Sequence, residues 1–134
     1  MNIRRRGLLA GRTGHKPMNA SGGSLSTLET GKEIWSVHAF TEPGAHIFVV
    51  NDIGDSTGEV DVLIVAGGGS AGSARTGGAG GAGGLVYLER FKVEVGHAYV
   101  IFIGTGGIAP SSGAGNNGEN SYFDEFIAIG GGGG

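Results

Sequence analysis

The chain has 134 residues, enough for one domain with a modest core, and carries a formal charge of −3 and no cysteine. The acidic balance gives no electrostatic case for nucleic acid or a membrane as the main partner, so neither nucleic-acid binding nor membrane insertion is expected, and the lack of thiols excludes a disulfide scaffold or a thiolate zinc site. With 31 glycines against 3 prolines, collagen is excluded too, because a triple helix needs glycine at every third place and abundant proline.

The first 26 residues hold a basic cluster of Arg4, Arg5, Arg6, Arg12 and Lys16, followed by a Gly/Ser/Asn-rich stretch with no sustained period. This pattern predicts an extended N-terminal arm (1–26) outside the core, with those five side chains as its anchor to a neighbouring subunit. Leu8, Leu9 and Ala10 follow the arginines, but Gly7, Gly11 and Arg12 break the apolar stretch, which is too short for a signal peptide. On this reading a truncation of the arm leaves the strands in place.

From residue 27 to 134 the composition is that of a glycine-rich β domain. Short runs rich in Val, Ile, Phe, Tyr and Trp at 34–41, 45–50, 60–66, 85–89, 91–95, 99–103 and 126–129 are bounded by turn residues, which is the pattern of strands. No helical stripe exceeds two turns, so the expected fold is all-β, a small sandwich or jelly-roll-like domain. The expected core is Trp35, Val37, Phe40, Phe48, Val62, Ile64, Phe91, Val93, Tyr99, Ile101, Ile103 and Phe126. The run 61–66 is apolar almost throughout and predicts burial on both faces. The alternation in 91–95 and the following Gly96-His97 predict a tight hairpin into 99–103.

Three glycine tracts, 67–84, 104–118 and 130–134, each follow an apolar strand end, so the strands deliver them to one rim of the sandwich. Ordering glycine is entropically expensive, and close packing of backbones without Cβ atoms offsets that cost. The tracts are therefore expected to pair their N–H and C=O groups as extended segments with three residues per turn. The packing positions are Gly67, Gly68, Gly69, Gly72, Gly77, Gly78, Gly80, Gly81, Gly83 and Gly84, then Gly104, Gly106 and Gly107.

Several constellations invite a chemical reading. Gly67, Gly69 and Gly72 satisfy G-x-G-x-x-G after a strand, and Glu89 follows about twenty residues on, as in a flavin- or NAD-binding oxidoreductase. That fingerprint needs a helix to receive the pyrophosphate, and a helix through 73–84 would lose about 0.8–1.0 kcal/mol at every glycine. The acidic loop from Asp52 through Asp55 and Glu59 to Asp61 has carboxylates suited to calcium but lacks the EF-hand spacing. His15, His38, His46 and His97 show no metal-ligand spacing, and no Ser lies in a nucleophile elbow. Neither a cofactor nor an enzymatic activity is expected.

The collinear order 35–41, Gly44, Phe48, 60–69, 80–87, Gly96, 103–107, 117–123 and 127–129 resembles the glycine-rich domain of phage tail fibres and related virion proteins. The resemblance covers roughly 30–134 and implies a virion structural protein made in the host cytoplasm. It also implies a homotrimer, contacts with other virion proteins and a host surface receptor. The chain stops in its third tract without a receptor-binding tip, the pattern of a fragment of a longer protein. Capsid decoration is the alternative within the virion class, and a glycine-rich module of receptor tyrosine kinases is the alternative outside it.

Overall fold

The computed structural model describes residues 1–7, 16–30, 33–73 and 77–134. In chain order the strands are β1 (Asn2–Gly7), β2 (Asn19–Ser21), β3 (Ser24–Thr30), β4 (Glu33–Ala39) and β5 (Gly44–Asp52). They continue with β6 (Glu59–Val65), β7 (Leu85–Lys92), β8 (Ala98–Ile103), β9 (Ser121–Phe123) and β10 (Phe126–Ala128). Two antiparallel five-stranded sheets, ordered β3-β4-β1-β6-β7 and β10-β9-β8-β5-β2, make a small all-β sandwich. No helix occurs among the described residues.

The N-terminal residues correct the expectation of an arm outside the core. β1 lies between β4 and β6, with Asn2 opposite Ala39 on one side and Leu63 on the other, and Ile3 is fully buried. β2 pairs with β5, β3 pairs with β4 along its whole length, and Met18 is buried. The basic run concealed β1 because a central strand is decided by the backbone groups waiting on either side of it rather than by its own propensity. At the turn joining β2 to β3, Gly22 and Gly23 have φ of +113° and +63°. A Cβ on either would press on the backbone of Ile47 or Ala39 and on the Phe40 ring, so the turn requires glycine.

Two other expectations also change. Val60, Val62 and Ile64 of β6 are buried, while Asp61 and Leu63 are half-buried and Val65 is exposed, so β6 buries one face rather than two. The runs at 85–89 and 91–95 form one strand, β7, and the turn at Gly96 carries the chain from the first sheet to the second instead of closing a hairpin. Arg90 in the left-handed region (φ 54°) interrupts β7 near its end. Beyond Lys92 the backbone finds other partners, with the Val93 N–H on Gly58 O and the Gly96 N–H on Val50 O. The Tyr99 hydroxyl then accepts the Glu94 N–H at 2.8 Å and fixes the turn.

The chain divides into two compact units, 1–41 with 46–63 and 87–100, and 42–45 with 64–86 and 101–134. The first is cored by Ile3, His38, Phe40, Phe48, Val50, Val60, Val62, Val93 and Tyr99. His38 packs edge-on against Phe48 at 5.2 Å, and its Nδ1 bonds to Gly22 O at 2.8 Å. The second unit buries Ile64, Ala66, Ile101, Ile103, Phe123, Ala128 and Ser121. Trp35, Val37, Phe91 and Phe126, expected in the core, are only half-buried.

Candidate functional site

Within the second unit the chain leaves β6, β8 and β10 as glycine-rich backbone, forming five extended segments at 66–73, 77–84, 104–107, 113–119 and 129–134. Their hydrogen bonds recur every third residue. Ala66, Gly69 and Gly72 donate to Gly84, Gly81 and Gly78 at 3.0, 2.8 and 3.2 Å. On its other side the same segment donates from Gly67, Ser70 and Ser73 to Glu119, Asn116 and Gly113 at 3.0, 2.9 and 3.0 Å. Both pairings are antiparallel, and the step of three is the period of the left-handed polyproline II helix.

The last segment bonds to three of the others. Gly131 and Gly134 donate to Gly67 and Ser70 in a parallel pairing, while Ile129 O and Gly132 O accept from Gly84 and Gly81. Gly131 O and Gly134 O accept from Gly118 and Gly115. Asparagine side chains satisfy two further donors at the same period, Asn120 Oδ1 taking the Gly130 N–H and Asn117 Oδ1 the Gly133 N–H, both at 2.8 Å.

Glycine is needed here for proximity rather than for unusual dihedrals, since only Gly113 among the glycines of these segments has a positive φ. A Cβ on Gly67 would overlap Thr105 O, one on Gly69 would overlap Gly132 O, and one on Gly80 would overlap Gly69 O. Gly83, Gly104 and Gly107 press likewise on Ala66 O, Asn120 O and Asn116 O, and Gly72 approaches Gly134 O. Gly84 approaches Ile129 O in the same way, Gly68, Gly78, Gly81 and Gly106 have more room, and Gly77 lies beside Gly72. The glycines of the apparent dinucleotide fingerprint therefore face protein backbone. Gly115, Gly118, Gly130, Gly131 and Gly133 fall in the tracts expected to pack but not among the packing positions named from the sequence, although the spacing of three in 80/83, 104/107, 115/118 and 130/133 was a readable signal.

Ser70 locks one end of the bundle. Its buried Oγ donates to Ile108 O at 3.2 Å and accepts the Asn116 N–H at 2.8 Å, and Asn116 Nδ2 donates to Ile108 O as well. The turn held this way exposes Ile108, Ala109, Ser111 and Ser112. Replacing Ser70 with alanine leaves the part-buried Asn116 N–H without its acceptor, for an expected loss of about 0.5–1.5 kcal/mol. Denaturant unfolding and faster exchange of the Asn116 amide would register it. At the far end Glu119 accepts from the N–H and the hydroxyl of Thr105, each at 3.0 Å, which holds its carboxyl below the usual range.

The charged residues are placed separately. Arg4, Arg5 and Arg6 lie on β1 opposite Val37, Ser36 and Trp35, and Arg12 and His15 fall outside the described residues. Lys16 Nζ donates to Asp52 Oδ2, a bond that raises the lysine and lowers the carboxyl, and the Lys16 N–H donates to Asp55 at 2.9 Å. Glu59 pairs with Arg90 Nε at 3.1 Å, and Asp61 accepts the Arg90 N–H. The acidic loop is thus engaged with cations and backbone, and no cluster of three or more metal-ligating side chains occurs among the described residues.

A family model described as a glycine-rich domain matches residues 43–134. No curated protein and no solved structure matches the chain.

Proposed function

Because the chain belongs to the glycine-rich domain family over residues 43–134, we propose that it is a non-enzymatic structural module of a phage particle, a component of a tail fibre or receptor-binding appendage. The observation that carries this reading is the five-segment bundle, whose cohesion comes from main-chain hydrogen bonds at three-residue steps. A body cross-linked through its backbone is stiff and leaves its turns available for contact with other subunits or a host surface. The order of strands and glycine tracts, similar to that of phage tail-fibre domains, supports the same assignment. In this role the chain acts as a homo-oligomer alongside other virion proteins.

Gold-labelled antibody raised against the purified chain should decorate intact phage particles from cells that carry its coding sequence, at the tail. Unlabelled particles would overturn the virion reading, and labelling confined to the head would replace the tail fibre with a capsid decoration protein. A flavin absorbance band in the purified chain would instead favour the oxidoreductase reading of Gly67, Gly69 and Gly72.

A further inference from the structure

The described strands leave four sheet edges, and three of them are built against strand addition. β10 and β2 are three residues long, and β2 carries a register shift between Asn19 and Ala20. β7 is longer, but Arg90 stands in the left-handed region with its N–H turned to the Asp61 carboxylate and its guanidinium on Glu59. Glu89 and Lys92 add further charge along it. Short strands, bulges and charges are the usual means by which an edge is kept from pairing.

β3 has none of these protections. Its seven residues, Ser24 to Thr30, pair one-to-one with β4 without a shift, and no described strand lies on its outer side. It contains no proline, lysine or arginine, its one charge is Glu29, and Leu25 and Leu28 are 61% and 42% exposed.

We infer that the outer edge of β3 is a self-association site, where a second copy of this chain adds its own β3 antiparallel across a two-fold axis. The strand's own residues fit a second copy of the chain as the occupant. A two-fold perpendicular to the sheet pairs residues of like face, and only the register centred on Thr27 uses all seven residues of the strand. In that register Thr27 faces Thr27 of the partner subunit, a favourable cross-strand pair. Ser26 meets Leu28 and Leu25 meets Glu29, so no like charges oppose one another. The contact joins the five-stranded β3-containing sheet of each copy into one sheet of ten strands. It is an even-numbered contact, so it does not by itself build a trimer, and it does not depend on the virion reading.

Sedimentation velocity over a concentration series of the full chain tests it. The unmodified protein should form a concentration-dependent dimer. T27K and T27E each place like charges directly opposite at an exposed position and should weaken the dimer roughly fivefold or more. An equimolar mixture of the two variants should restore it. Amide exchange of β3, unlike that of β7, should slow as concentration rises, a readout that needs no variant. A chain that stays monomeric or forms a trimer would overturn the inference. So would a dimer that neither substitution weakens.

Discussion

Gly131→Ala should destabilise the protein by about 3 kcal/mol or more, while Gly132→Ala, one residue on, should be neutral or slightly stabilising. A Cβ at Gly131 would overlap Gly81 O and crowd Ala82, both backbone atoms that no side-chain rearrangement can move aside. At Gly132 a Cβ would meet nothing within 4 Å, and its φ is not positive, so alanine only reduces the freedom of the unfolded chain. Gly80→Val should behave like the first change, because its Cβ would overlap Gly69 O and approach Ser70. Chemical denaturation of the three variants gives the comparison. Equal stability of the two alanine variants would mean that the segments do not pack at backbone contact.

Removing residues 1–7 should have an even larger effect. β1 is bonded to β4 and β6 at once, so its loss separates the β3-β4 pair from β6-β7 and leaves two inner edges unpaired. It also removes Ile3 from the core, and the single change Ile3→Ala should alone cost about 2–5 kcal/mol. The truncated chain should lose strand signal in far-UV circular dichroism and protection of the β4 and β6 amides. A truncated protein with undiminished strand signal would show that β1 is dispensable.

The contrast between these two regions explains what the sequence made legible. Strands such as β5 and β6 announced themselves as short runs rich in Val, Ile and Phe bounded by turn residues, although only the face with Phe48, Val50, Val60, Val62 and Ile64 is buried. The glycine segments were legible for a different reason, since so many residues without Cβ atoms require an energetic return that close backbone packing supplies. β1, β2, β3 and β9 were not legible. β1, β2 and β3 contribute few apolar side chains, β9 has three residues, and β1 and β2 are held by partners distant in sequence. The crossing at Gly96 was read as a hairpin because a turn signal specifies a reversal but not which sheet receives the next strand. Ser70, one serine among glycines, gave no local sign that its hydroxyl joins residues 38 and 46 positions away.

The step of three in the bundle makes its lattice behave like a reading frame. Each segment meets its neighbours at fixed phases, as in the ladder 67/119, 70/116 and 73/113. Inserting one or two residues midway along 113–119 would shift the glycines of that segment off their contacts and turn bulkier neighbours such as Asn116 toward backbone. Inserting three would restore the phase and only lengthen the segment. Segment length is therefore quantised, and such a body grows or shrinks along its axis in whole turns of about 9 Å, three residues at about 3.1 Å each.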